Sequence, residues 1–405
     1  MKKRIAITGL GVLSPIGSGV NKFWEALIAG EIGTRTITSF DTSIYSVNQG
    51  GEVLDMDPAS FFRQLDPNVL GRTTQLAVAS SWMAWDDAQV PSDYYSSERV
   101  GVCIGTGIGN SSILENSHDI ELSGEQKVRS EYVANYPLAS VANAVSTELG
   151  FEGPSLTIST ACASGNYAIS RGIDLIHEGV LDVAVVGGAD GMSRFCYTAF
   201  HRLGAIAPEV CQPFTNDRKG MIVSEGAASL VLEDMEKAIE RGATIYAELV
   251  GYGLACDAYH LTAPHVEGLG AVLAMNRAIE DADIERNEVS YINAHGTGTK
   301  ANDSSESLAV YTTFGEQADL IPVSSIKSML GHTMGASSAI EAVACTLAIR
   351  HSVIPPTMNV SELDADCVKN VVPNQAVHQP VKVAISNSFA FGGNISTIVL
   401  RGVTE

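Results

Sequence analysis

Four side chains able to do chemistry stand where the chain must bend: Cys162, His295, Lys327 and His332. Residues 158–169 read Ile-Ser-Thr-Ala-Cys-Ala-Ser-Gly-Asn-Tyr-Ala-Ile. Upstream, Pro154–Thr160 is rich in Thr and Ile and alternates as a strand does. Downstream, Ile169, Ile173 and Ile176 fall at i, i+4 and i+7, one face of a helix. A thiol at that junction sits at a helix N-terminus, where unpaired N–H groups and the macrodipole favour the nucleophilic thiolate. A cysteine there can equally be a small buried hydrophobe.

Two more segments repeat the arrangement. Val289–Thr299, Val-Ser-Tyr-Ile-Asn-Ala-His-Gly-Thr-Gly-Thr, is a strand running into a glycine-rich turn that carries His295. Pro322–Glu341 is a strand, a turn with Lys327 and His332, then a helix of small residues. A lone turn histidine is more often a satisfied polar residue than a catalyst. Three strand ends, each presenting a reactive side chain beside glycine, argue for a shared site.

The elements needed to position them alternate strand-like and helix-like runs. That pattern predicts an α/β fold with a largely parallel sheet. There is also an internal echo. Leu156–Thr160, Cys162, a helix over 163–176 and the strand Leu181–Ala189 are matched by Ile321–Ile326, His332, a helix over 336–349 and the strand Val381–Ser388. The helices would approach closely at Ala168 and Gly172 on one and Ala336 and Ala339 on the other. The seam is expected near Arg241–Val250, with halves 1–245 and 246–405, and the site between them because neither half is complete alone.

Lys plus Arg is 25 and Asp plus Glu is 46, a net charge of −21, which argues against nucleic acid as a partner. The N-terminus imitates a signal peptide, but Thr8, Gly9 and Gly11 interrupt its apolar run and a first β-strand reads better. No apolar run of about 18 residues occurs, so no membrane span is expected. Seven scattered cysteines with neither zinc spacing nor a disulfide framework fit a reducing cytoplasm. Gly105-Thr-Gly-Ile108-Gly is a poor dinucleotide loop, since no helix with a suitably spaced acidic residue follows.

Taken in order, these motifs resemble the β-ketoacyl-acyl carrier protein synthases of the thiolase superfamily, in the branch that uses Cys-His-His. The resemblance runs from Arg4–Gly17 through Ser159–Gly165, Val185–Ala189, Ser224–Ala227, Asp257–His260, His295–Thr299 and Ser325–His332 to Asn387–Gly393. It implies the duplicated thiolase fold, two α/β halves in a five-layered αβαβα arrangement. It implies a condensing acyltransferase: Cys162 takes an acyl group from an acyl carrier protein. Malonyl-carrier protein then loses CO₂, and the enolate attacks the acyl group to give a β-ketoacyl product. His295 and His332 would stabilise the enolate, and backbone N–H groups of Cys162 and Phe391 would form the oxyanion hole.

The resemblance makes Lys327 a buried site lysine with Glu306 as its acidic partner; a surface turn lysine is the alternative. It places Thr297 and Thr299 on the phosphopantetheine arm, with simple turn chemistry as the alternative. It sets Ile108 at the closed end of an acyl tunnel, lets Tyr136 reach in from a partner subunit, and puts Phe389 beside the substrate. No cofactor of the enzyme's own is implied, since substrates ride on carrier phosphopantetheine, and no metal. Partners would be the carrier and a second subunit, in a homodimer or a heterodimer with a chain-length-factor-like homologue, paired through the strand around Leu156–Thr160.

Some positions depart from the family. Its basic docking run is here Phe62-Arg-Gln-Leu-Asp-Pro-Asn-Val-Leu-Gly71, leaving Arg63, with Arg202 elsewhere, as weak docking candidates. Asn394-Ile395 replaces the usual Thr-Asn, and Arg218-Lys-Gly-Met-Ile a commoner Arg-Asp-Gly-Phe-Val. These point to a specialised member, in polyketide or polyene rather than housekeeping fatty-acid synthesis. Other readings are a noncondensing subunit, which normally lacks the cysteine, and a thiolase, which normally has a second cysteine where this chain reads Phe389-Ala-Phe-Gly-Gly. A zinc hydrolase built on Cys162, His295 and His332 is the different-class alternative.

Overall fold

The computed structural model describes residues 2–124 and 127–403. Ten strands form the frame. The first five are β1 (Ile5–Ser14), β2 (Val100–Gly105), β3 (Ser155–Ile158), β4 (Val183–Asp190) and β5 (Gly226–Asp234). The second five are β6 (Ala247–Cys256), β7 (Tyr291–Asn293), β8 (Val323–Ser324), β9 (Val383–Phe389) and β10 (Asn394–Arg401). Their order is β3-β2-β4-β5-β1 and β8-β7-β9-β10-β6. Counted within each half, both read 3-2-4-5-1. The sense of pairing also repeats: the first two neighbours are parallel, the last two antiparallel. The expected largely parallel sheet is therefore corrected to a mixed one. Alternating strands and helices do not reveal that β4 to β5, and β9 to β10, return as antiparallel neighbours. A short antiparallel pairing, Ile5 to Leu249 through Ile7 to Ala247, joins the two sets edge to edge.

Seven helices matter to the site: α1 (Arg72–Ala88), α2 (Ala139–Leu149), α3 (Ser164–His177), α4 (Arg194–Arg202), α5 (Leu269–Asp281), α6 (Lys300–Phe314) and α7 (Ser337–His351). α1 and α2 cover one face of the first strand set, α5 and α6 cover one face of the second, and α3 and α7 pack between the sets. All residues of β1, β4 and β5 are buried because both faces are covered.

The first strand of each half explains its glycines. A Cβ on Gly9 would lie 2.2 Å from the Ala84 carbonyl and one on Gly11 2.0 Å from that of Ser80, so α1 rests on β1 backbone to backbone. Gly251 and Gly253 do the same for α5, at 2.5 Å from Ala282 N and 2.0 Å from the Ala274 carbonyl. The interruptions in the N-terminal apolar run are thus a helix seat, repeated in the second half.

The central helices meet at Gly165, where a Cβ would lie 2.7 Å from Ser338 Oγ and 2.8 Å from Ala339 N. Ala339 lies at the crossing, as expected, but Gly172 does not: it faces β4, with Val186 Cγ1 2.3 Å from its absent Cβ. α7 is buried on every side from Ser337 to Ile349. The edge of the first strand set is β3, which pairs only with β2 and whose four residues are half-buried.

Candidate active site

Each half enters its central helix through the same tight turn. After β3 come Thr160, Ala161 with φ of 49° and a 3₁₀ turn over Ala161–Ala163 leading into α3. In the second half come Thr333, Met334 with φ of 52° and a 3₁₀ turn over Met334–Ala336 leading into α7. A left-handed residue with a side chain costs roughly 1–2 kcal/mol. In the first turn Ser164 Oγ offsets this by accepting from Thr160 N at 2.9 Å and donating to the Ala161 carbonyl at 2.6 Å. By position, Cys162 corresponds to Gly335 and His332 to Ser159. The sequence echo that set Cys162 against His332 is off by three residues.

Cys162, His295 and His332 all line one cleft of about 250 Å³, as do Thr297, Thr299, Phe389 and Phe391. His332 Nε2 is 3.1 Å from Cys162 Sγ, and its Nδ1 is 2.8 Å from Ser337 Oγ. The His295 ring stands 5.5 Å from that of His332, nearly perpendicular to it, and 5.6 Å from Phe389. Burial and the nearby Lys327 ammonium hold both imidazoles well below the ordinary histidine range, so both are neutral.

The thiol is not the thiolate expected at a helix N-terminus. Burial pushes Cys162 up to about 12; Lys327 and the backbone N–H groups of Phe391 and Cys162 pull the other way without overcoming it. The Phe391 N–H meets the sulfur from a loop whose next two residues, Gly392 and Gly393, take φ of 81° and 79°.

Lys327 is fully buried, so the surface alternative is set aside. Its ion pair, however, is with Glu341 on α7. Glu306 is close enough to feel the ammonium, but its carboxylate accepts from His295 N and Gly296 N, both at 2.8 Å, and so holds the histidine turn. The expected Lys327–Glu306 pairing is corrected accordingly.

Thr297 and Thr299 hydrogen-bond each other at 2.9 Å. Ile108 lies outside the open cleft, half-buried in an apolar cluster with Met192, Cys196, Met334 and Phe200. Tyr136 is exposed and away from the cleft of its own chain. The Arg63 guanidinium lies 4.0 Å over the Trp82 ring. Arg202, at the end of α4, is exposed, and its neighbour Leu203 lines the cleft.

Sequence reasoning missed four residues: Ser337 on His332, Glu341 on Lys327, Ser388 donating to the Cys162 carbonyl at 3.0 Å, and buried Asp190. A serine five residues after His332 on the expected helix was a signal for the first; the others act across the fold. No group of three His, Cys, Asp or Glu side chains arranged to hold a metal ion occurs among the described residues. Cys162 and His332 are in direct hydrogen-bond contact, and the nearby ammonium of Lys327 opposes a cation there. No helix among the described residues is long and apolar enough to cross a membrane.

Known proteins share this architecture. Residues 2–238 match the family described as beta-ketoacyl synthase, N-terminal domain, and residues 246–361 its C-terminal domain. A 3-oxoacyl-[acyl-carrier-protein] synthase 2 of Synechocystis is 38% identical, over 99% of this chain and 98% of its own. The solved ishigamide ketosynthase/chain length factor is 40% identical with a TM-score of 0.96, each chain covered completely. A type II polyketide synthase acyl-carrier protein in complex with its ketosynthase bound to the hexaketide provides a chain 32% identical, TM-score 0.92, again covered completely on both sides. Sequence and fold agree from end to end: this chain belongs to the β-ketoacyl synthase family and is a condensing acyltransferase.

Proposed function

We propose that Cys162 carries an acyl group delivered by an acyl carrier protein and that His295 and His332 serve its decarboxylative condensation with malonyl-carrier protein. The observation that carries this reading is the 3.1 Å contact between Cys162 Sγ and the neutral His332, with a second neutral imidazole on the same cleft. A thiol held near 12 is activated by losing its proton as it attacks, and His332 Nε2 stands where that proton goes. Sulfur then bonds the thioester carbonyl carbon, the carrier's C–S bond breaks, and the carrier sulfur leaves with the proton. In the second half-reaction malonyl-carrier protein loses CO₂, and the bonding pair becomes the enolate that His295 and His332 stabilise by donation. Its carbon bonds the acyl carbonyl as the acyl–Cys162 bond breaks, and the sulfur leaves as a thiolate that takes up one proton from solvent. The hydroxyl of Ser337 can accept from His332 Nδ1 or donate to it, so either tautomer of His332 is supported.

Backbone N–H groups of Cys162 and Phe391 serve as the oxyanion hole, Lys327 tunes the site, and Thr297 and Thr299 meet the phosphopantetheine arm. The halves 1–245 and 246–405 are the proposed domains, with no cofactor beyond the carrier's arm. The fatty-acid and type II polyketide readings both stand. The latter is favoured by the 40% identity and 0.96 TM-score to the ishigamide ketosynthase/chain length factor. The half-buried edge strand β3 supports a dimer, homomeric or with a chain-length-factor-like homologue, in which Tyr136 reaches the partner's tunnel. Carrier docking is assigned to Arg202 with Lys219 and Lys300 rather than to Arg63. All three are exposed near the cleft and none is in a salt bridge among the described residues. Seven free cysteines support a cytoplasmic location.

Intact-mass analysis after incubation with a panel of acyl-carrier proteins tests the reading. The parent gains the acyl mass and Cys162→Ala gains none. Acylated Cys162→Ala would place the nucleophile elsewhere. His295→Ala and His332→Ala are expected to keep acylation better than CO₂ release, and variants that load nothing yet release CO₂ normally would overturn the assignment of the histidines.

A further inference from the structure

Asp190 ends β4 with its side chain completely buried, and no cation pairs with it among the described residues. Its charge is met by four donors instead. Oδ1 accepts from Thr106 Oγ1 at 2.5 Å and from Ile108 N at 3.1 Å. Oδ2 accepts from Gly107 N and from Gly335 N, each at 2.7 Å. The two sets of donors belong to different parts of the machine. Thr106–Ile108 leads to the apolar cluster beyond Cys162, where Ile108, Met192, Cys196 and Met334 meet. Gly335 sits in the turn between His332 and α7.

The glycines show that the carboxylate fills its space. A Cβ on Gly335 would lie 2.4 Å from Gly107 N and 2.8 Å from Asp190 Oδ2, and one on Gly107 3.0 Å from that oxygen. The internal duplication adds a second argument. Strand register sets Gly105 beside Gly188 in one half and Asn293 beside Ser386 in the other. Counting on two residues, Gly107 occupies the place of His295, as Gly335 occupies that of Cys162. The first half thus contains the geometric counterpart of the reactive cleft, and Asp190 occupies it.

We propose that Asp190 is a positioning residue: its carboxylate fixes the floor at Gly107–Ile108 against the Gly335 turn and so sets the length of acyl chain that Cys162 accepts. This rests on the reading of Cys162 as the acyl carrier and of Ile108, which lies outside the open cleft, as the end of its acyl tunnel. An ionised carboxylate can accept from all four donors; an amide cannot. In Asp190→Asn the amide oxygen can keep Gly107 and Gly335, its NH₂ can face Thr106 Oγ1, and only the Ile108 N–H is left opposed by a donor. The substitution therefore loosens the floor and spares the turn. Asp190→Ala releases both.

The test is the rate of Cys162 acylation by short-chain and long-chain acyl-carrier proteins, read by intact mass, with Ile108→Phe alongside. Asp190→Asn should raise the long-to-short ratio by about tenfold, the scale of a lost apolar contact in a specificity pocket. Ile108→Phe should lower it. Thr106→Val, which removes one donor from the same oxygen together with the acceptor of the Gly109 N–H, should move the ratio with Asp190→Asn. Asp190→Ala should slow CO₂ release from malonyl-carrier protein about tenfold more than Asp190→Asn does. A parent that loads no acyl group defeats the function proposed for Cys162. A parent that loads, an Ile108→Phe that discriminates, and Asp190→Asn and Thr106→Val that leave the ratio unchanged or slow every chain equally overturn the role of Asp190.

Discussion

Cys162 and Lys327 show how far a side chain's type and position define its state. The strand-helix junction was legible from Ile158–Ile169, and so was the glycine turn around His295. The protonation of the thiol was not, because it depends on what covers it. Desolvation outweighs both the lysine and the backbone N–H groups of Phe391 and Cys162, and Lys327 and Phe391 lie far along the chain. Alkylation of Cys162 by iodoacetamide should therefore rise about tenfold per pH unit through pH 9 with no plateau, since the thiolate fraction grows that way below the pKa. A plateau near pH 7 would restore the thiolate reading. Glu341 shows the same limit: it lies fourteen residues from Lys327 on an apolar-looking helix, and only the fold brings the two together. Glu341→Gln leaves a buried ammonium without its charge partner. We expect a loss of about 3–5 kcal/mol in urea unfolding, the usual result of removing one side of a buried pair. Glu306→Gln, whose partners are the backbone N–H groups of His295 and Gly296 and the Asn387 amide, should instead disturb the His295 turn and the CO₂-releasing step.

Elements were legible where their pattern was local. Helix α3 follows its isoleucines, and β4 reads as a buried strand because it is one. The order of strands was hidden, since nothing in β4 or β5 announces which neighbour it will meet. Gly9 and Gly11 looked like interruptions and proved to be a seat for α1; Gly251 and Gly253 repeat the device, a correspondence that flanking residues conceal. The edge strand β3 is the element that most needs a neighbour. A strand with one free edge and half-buried Leu156 and Ile158 is an invitation to pairing. The parent should sediment as a dimer or larger. Ile158→Lys should raise the dimer dissociation constant at least about tenfold, equivalent to roughly 1.4 kcal/mol. A stable, active monomer of the parent would remove β3 from the argument.

At the scale of the whole molecule, the charge of −21 and the expectation of a basic docking surface for the carrier are reconciled by where the unpaired cations lie. Arg218 Nη2 reaches the Lys300 carbonyl at 3.3 Å, and Met221 N pairs with the Ala205 carbonyl at 2.9 Å. Arg202, Lys219 and Lys300 are therefore close in space, beside a cleft that Leu203, Ala205, Thr299 and Ala301 help to line. Lys219→Glu with Lys300→Glu should raise KM for carrier-borne substrates about fivefold at low salt, with the difference narrowing as salt rises. An unchanged KM at low salt would move docking elsewhere. The duplicated halves have one further consequence, for synthesis. The ribosome delivers β1 to β5 long before α7 exists, and α7 is the helix that fills the space beside α3. Until about residue 350 has emerged, the nascent first half exposes the apolar floor on which α7 will lie, and Cys162 stands at its edge without His332. The enzyme thus becomes chemically competent only after its second half has emerged, and until then the surface awaiting α7 stays open to other apolar contacts.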